Sequence, residues 1–160
     1  MKPLMTCLWF DTQAEEAAKF YVSVFKNAKL GKVSRYGKAG YETHRMKDGT
    51  VMVAEFELNG HPFMALNGGP IFKFNEAISL VVRCKTQEEI DHYWNTLGEG
   101  REGQCGWIKD KYGLSWQIVP ENMSEVMSDR DKTKSQRVMA AVMQMKKLDI
   151  ATLKRAYDGK

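Results

Sequence analysis

The feature that most restricts the fold of this chain is a repeat. "FDTQAEEAAKFY", from Phe10, and "CKTQEEIDHYW", from Cys84, are two versions of one helix start. Thr12-Gln13 corresponds to Thr86-Gln87 at an offset of 74, and Glu15-Glu16 to Glu88-Glu89 at 73. The aromatic pairs Phe20-Tyr21 and Tyr93-Trp94 keep the offset of 73. Each copy follows an apolar run suited to a buried strand, "PLMTCLWF" in the first and "AISLVVRC" in the second. A closing strand also recurs, since Gly60 to Phe63 and Gly113 to Trp116 both run glycine, two residues, aromatic. One such unit covers only one face of its sheet with its helix. Two copies can turn their bare faces together and enclose a shared cavity.

In the first copy Asp11 or Thr12 is expected to cap the helix, with Glu15 and Glu16 in its first turn. Ala14, Ala17, Ala18, Tyr21, Val24 and Phe25 form its core stripe. "KVSRYG", "TVMVAEFEL" and "HPFMAL" read as strands, the last two joined through Asn59-Gly60, a pair that tolerates the positive φ of a tight hairpin. "NGGP", Asn67 to Pro70, interrupts the chain. In the second copy Thr86 is the expected cap of a helix reaching about Leu97. Two short strands fit between that helix and the closing "GLSWQIV". The tail reads as helices capped by Asp131 and Asp149, with a Val138, Val142, Met145 stripe and a stop at Gly159. The expected class is α+β: two βαβββ modules, residues 1–67 and 68–120, and a helical tail, 121–160, in one structural domain.

Of the net charge of +4, +3 sits in residues 121–160, where nine Lys/Arg face six Asp/Glu. Those charges alternate at helical spacing, which is the pattern of a solvated face and argues against nucleic acid as a partner. No apolar run approaches the ~20 residues that a membrane span needs. Cys7, Cys84 and Cys105 are odd in number and lack CxxC spacing, so they are expected to be reduced thiols in a cytoplasmic protein.

The closing strand carries most of the chemistry. Alternation puts Leu114, Trp116 and Ile118 toward the helix, and Ser115, Gln117 and Val119 on the opposite face. The matching face of the first copy presents Met64 and Leu66. The expected ligand pocket is therefore mostly apolar with few polar anchors, lined by Trp9, Met64, Trp107, Ser115 and Gln117. His44, His61 and His92 share no metal-ligand spacing. A GxGxxG at Gly98, Gly100 and Gly103 follows a helix and precedes a strand, the reverse of a nucleotide-binding loop. Cys105 is expected to be a small buried residue, and Asp110 a turn former.

The pieces "CLWFDTQAEEAAKFYVSVF", "MALNGGPIFKFNEAISLVV", "TQEEIDHYWNTL", "EGQCGWIKDKYGLSWQIVP" and "QRVMAAVMQMKKLDIATL" resemble the PhnB-like proteins. These carry the label 3-demethylubiquinone-9 3-methyltransferase-like, within the glyoxalase/bleomycin-resistance (vicinal oxygen chelate) superfamily. The resemblance implies paired βαβββ modules in a homodimer. It also implies a divalent ion held by His, Gln or Glu on the first and last strands of each module. By strand position those places fall near Met5 or Thr6, Met64, Ala77 and Gln117, of which only Gln117 ligates well. The expectation is a protein without metal or other cofactor that binds a small organic molecule between its modules. The alternative is an enzyme, either the labelled methyltransferase or a metal-dependent lyase or dioxygenase.

Overall fold

The computed structural model describes residues 4–160. They form two compact units divided between Phe74 and Asn75.

The first unit contains β1 (Thr6–Phe10), α1 (Ala14–Val24), β2 (Ala28–Arg35), α2 (Tyr41–His44), β3 (Val51–Leu58) and β4 (His61–Asn67). Its sheet runs β1-β4-β3-β2, with β1 parallel to β4 and the other pairs antiparallel. The expected stripe of α1 is buried, and Tyr21 stacks on Phe56, which stacks on Phe63. Asn59 and Gly60 both take positive φ, 48° and 82°, as the β3–β4 hairpin requires. The segment after β4 stays with this unit: the ring edges of Phe72 and Phe74 meet Trp9 and Phe10.

The cap of α1 is a correction. Neither Asp11 nor Thr12 caps the helix; Gln13 holds that position, and its side chain makes no capping bond. The buried carboxamide of Asn67, at the end of β4, does the work from a distance. Its Oδ1 accepts from the Ala14 amide at 2.8 Å, while its Nδ2 donates to the Val51 carbonyl at 3.0 Å. Parallel pairing of β1 with β4 sets Phe10 beside Asn67, which brings the carboxamide to the first turn of the helix. Asn67→Ala is expected to destabilise the protein by about 2–3 kcal/mol, because two buried partners lose their bonds together. Urea unfolding checks this; a loss under about 1 kcal/mol would show that the cap is dispensable.

The second unit contains β5 (Ser79–Cys84), α3 (Gln87–Gly98), β6 (Trp107–Lys109), β7 (Ser115–Pro120), α4 (Met123–Met127), α5 (Lys132–Val142) and α6 (Ile150–Asp158). Its sheet runs β5-β7-β6, with β5 parallel to β7. Thr86 caps α3 as expected: its Oγ1 accepts from the Glu89 amide, and the Glu89 carboxylate accepts from Lys85 N. The repeat is shortened at one point. Among the described residues only β6 and a single bridge, Glu102 to Ile108, lie between α3 and β7. Glu99 and Gly100 both take left-handed φ, and this breaks the extension that a further strand would need.

Asp131 and Asp149 cap α5 and α6, and Gly159 ends α6 at φ 76°. Val138, Val142, Leu148 and Leu153 pack into a buried cluster with Met145 against it. The tail is tied to the rest of its unit by side chain and backbone. Gln87 donates to the Leu148 carbonyl and accepts from the Ile150 amide. The Cys105 and Gly106 amides donate to Met145 and Lys146 carbonyls, both at 2.7 Å. No helix among the described residues is long and apolar enough to cross a membrane.

Candidate functional site

Strand register fixes which side chains share a face in the second unit. Gln117 sits opposite Val81 on β5 and Trp107 on β6, and Ser115 sits opposite Ser79 and Lys109. Leu80, Val82, Ile108, Trp116 and Ile118 occupy the other face, against α3. The open face therefore carries Ser79, Val81, Arg83, Trp107, Lys109, Ser115, Gln117 and Val119. The sequence-predicted residues Trp107, Ser115 and Gln117 do come together on it.

Its polar groups are unequal in their bonding. The Gln117 amide nitrogen donates to Ser79 Oγ at 2.9 Å, which fixes the carboxamide. Lys109 is paired with Glu76 at 2.5 Å. Ser115 is only 1% exposed, yet its Oγ has no hydrogen-bond partner among the described residues. A buried hydroxyl left unpaired costs on the order of 1–3 kcal/mol. A ligand group or an ordered water at this point would complete its bonding. Chemically, the face offers a hydroxyl, a carboxamide oxygen and an indole ring. Its strand residues include no Asp, Glu, His or Cys, and the carboxylate that reaches it, Glu76, is paired with Lys109.

The first unit's open face carries Cys7 and Trp9 on β1, Met64 and Leu66 on β4, and Val53 and Glu55 on β3. Trp9 and Met64 thus share one face. The Trp9 indole N–H is already used, donating to the Gly69 carbonyl at 2.8 Å, and its ring lies where a side chain at Gly68 would have to go. Trp9 can offer a ligand an aromatic wall and no donor.

Other candidates separate from these faces. Asp110 is fully buried and accepts from Tyr112 N, Leu114 N and the Trp116 indole N–H, so it holds the β6–β7 turn. Cys105 is a correction: it is half-buried, takes a left-handed φ of 58°, and its Sγ lies 3.7 Å from Met143 Sδ. It escapes full burial because the turn into β6 lifts it out of the strand. Cys84 is the buried thiol, and burial pushes its pKa up to about 12. His61 bonds Thr6 Oγ1, and the His44 ring packs on Tyr36.

The divalent ion of the superfamily can be tested on donor chemistry. Ala77 lies in a turn closed by Asn75 Oδ1, and β5 begins only at Ser79, so the ligand place carried over to Ala77 shifts to Ser79 or Val81. In the first unit the corresponding face offers Cys7, Trp9, Met64 and Leu66. No group of three His, Cys, Asp or Glu side chains suited to a metal occurs among the described residues. One amide, hydroxyls, a thiol, a thioether and the single Glu55 carboxylate do not make the oxygen-rich or imidazole set that a hard divalent cation needs. The S-adenosylmethionine that the methyltransferase label implies fares no better. Two amides of the glycine loop are already used, Arg101 N donating to Gly98 O and Gly103 N to Trp107 O on β6.

Sequence reasoning missed Ser79, which holds Gln117, and Val81 and Arg83, which project from the open face. "SLVVRC" lacks hydropathic alternation, and the exposure of Val81 and Arg83 follows from the place of β5 at the sheet edge. Pattern also gave no sign of a hollow of about 530 Å³ among the tail helices.

Residues 2–119 match the protein family described as 3-demethylubiquinone-9 3-methyltransferase. Among solved structures, the PhnB protein of Bacillus cereus is 37% identical, with TM-score 0.64 over 74% of this chain and 99% of that one. Protein PA1353 of Pseudomonas aeruginosa shares the fold at 17% identity and TM-score 0.60, over 75% of this chain and 98% of that one. A lactoylglutathione lyase of Agrobacterium tumefaciens matches at 15% identity and TM-score 0.40, over 75% and 94% of the two chains, a level that says nothing of activity. No curated protein matches the chain.

Proposed function

We propose that this protein, which belongs to the family described as 3-demethylubiquinone-9 3-methyltransferase, is a PhnB-like member of the glyoxalase superfamily that binds a small organic molecule without a metal. The open face of the second unit's sheet is the proposed seat. Ser115 Oγ and the Gln117 carboxamide oxygen supply the polar anchors, and Trp107 and Val81 the apolar surface. Trp9 and Met64, half-buried on the first unit's open face, are also proposed to contact ligand. The single observation that carries the reading is the buried, unpartnered Ser115 hydroxyl. A ligand carbonyl or hydroxyl would complete its bonding. The protein is proposed to work in the cytoplasm as a homodimer, which its free thiols and the exposed apolar side chains of Ile71, Phe72 and Ile78 favour.

Ser115→Ala gives a test with two readouts of opposite sign. Removing an unsatisfied buried hydroxyl is expected to stabilise the ligand-free protein by about 0.5–1 kcal/mol. The same change is expected to weaken a ligand found by thermal-shift screening of metabolites by roughly tenfold, the worth of one hydrogen bond. A destabilised variant that binds as well as the parent protein would refute the assignment. The enzymatic alternative rests on the family's description. Saturable stabilisation by S-adenosylmethionine would favour the methyltransferase, and a stoichiometric transition metal in purified protein would favour a lyase or dioxygenase.

A further inference from the structure

The tail lies outside the family match, which ends at residue 119, and with the end of β7 it encloses a hollow. The hollow of about 530 Å³ is formed by the end of β7 with α4, α5 and α6, a size in the usual range for small-molecule sites, roughly 300–1,000 Å³. Its lining is divided by polarity. Val138 and Leu153 are buried, and Met123, Val126 and Ile150 are half-buried, so they make an apolar floor. Glu125 and Asp158 stand exposed at the rim, with Asp129 half-buried beside them and Lys154 the one lining cation. Three carboxylates against one ammonium leave an excess of negative charge in the lining itself, with Lys132 and Lys134 acting on Asp129 from outside it.

Two contacts hold that charge in place. The Tyr157 hydroxyl donates to the Asp129 carboxylate, and this bond keeps the Asp129 carboxyl below its ordinary range. The Lys134 ammonium lies 4.8 Å from the centre of the Tyr157 ring, so the ring already takes a cation on its face. Tyr157 lines the hollow and Lys134 does not.

We propose that this cleft binds a small organic cation with an apolar body, the ammonium at the Glu125–Asp129–Asp158 rim and the hydrocarbon on the Val126–Ile150–Leu153 floor. Charge complementarity selects the sign, and the dry floor selects an amphipathic ligand over a metal ion or a free ammonium. The site is separate from the sheet face proposed above, and neither depends on the other.

The test compares three probes with the same ring system: tryptamine, neutral tryptophol and anionic indole-3-propionate. NMR titration of the full chain is expected to show saturable methyl shifts at Val126, Ile150 and Leu153 with tryptamine. Binding should be roughly tenfold weaker for tryptophol, the worth of one charge-assisted contact, and weaker again for the acid. The exposed pair Glu125→Gln and Asp158→Asn together should weaken tryptamine about tenfold, and Lys154→Glu should strengthen it about threefold. Raised salt should weaken tryptamine and leave tryptophol unchanged. Ser115→Ala should leave all of this unaffected. Equal affinity for the three probes, shifts confined to the sheet residues, or indifference to the rim substitutions would each overturn the proposal.

Discussion

Asp110→Ala is expected to lower stability by about 3–5 kcal/mol, the largest effect of any single truncation considered. The reason lies in the number of donors that converge on one buried carboxylate. The Tyr112 and Leu114 amides donate to Oδ1 at 2.9 and 3.1 Å, and the Trp116 indole donates to Oδ2 at 2.8 Å. Alanine strands the buried Leu114 amide and the indole of the fully buried Trp116 side chain, and leaves the half-buried Tyr112 amide without its acceptor. Asp110→Asn provides the control. Its Oδ1 can still receive both amides, but its Nδ2 would face the indole N–H donor to donor, so about half the loss should persist. Urea unfolding followed by tryptophan fluorescence measures both. A loss under about 1 kcal/mol for alanine would show that the turn holds without the carboxylate.

Gly106→Ala is expected to cost about 2–4 kcal/mol, where most glycine-to-alanine changes cost far less. Gly106 takes φ 84°, and a Cβ there would sit 2.8 Å from the Ile118 carbonyl oxygen and 3.3 Å from Leu148. The first obstacle is backbone and cannot swing away. The same residue receives Ile118 N on its carbonyl and donates its own amide to Lys146 O, so displacing it loosens β7 and the tail together. Gly100→Ala separates the two causes. Gly100 has nearly the same φ, 83°, with nothing within 4 Å of a new Cβ. It should show only the dihedral cost, roughly 1 kcal/mol. Hydrogen exchange should find the α5 and α6 amides less protected in Gly106→Ala and unchanged in Gly100→Ala. Similar losses in the two variants would place the effect in the backbone angle alone.

Much of the fold was legible because it is written in local signals. Thr86, Asp131 and Asp149 cap the helices that follow them, and Asn59-Gly60 turns the hairpin through its own dihedral preferences. Alternation along β7 placed Ser115 and Gln117 opposite Trp116 and Ile118, because a strand's period holds whatever it packs against. The unread parts depend on partners far along the chain. Asn67 caps a helix that begins 53 residues earlier, and no window around Ala14 contains it. Ser79 became Gln117's partner only through the register of β5 on β7, which also moved the first strand's start past Ala77. The tail hollow is a property of three helices packed together, and no one helix encodes it.

The two units differ in how far along the chain their pairings reach, and this orders their birth at the ribosome. Every strand partnership of the first sheet falls between residues 6 and 67. That sheet can close while the remainder is still being translated. The second unit must wait: Gln87, at the start of α3, finds partners at Leu148 and Ile150, 61 and 63 residues further along the chain. A nascent chain stalled near residue 130 would therefore display one finished half beside an unfastened one, and protease accessibility of such stalled chains should change sharply only when α6 leaves the exit tunnel.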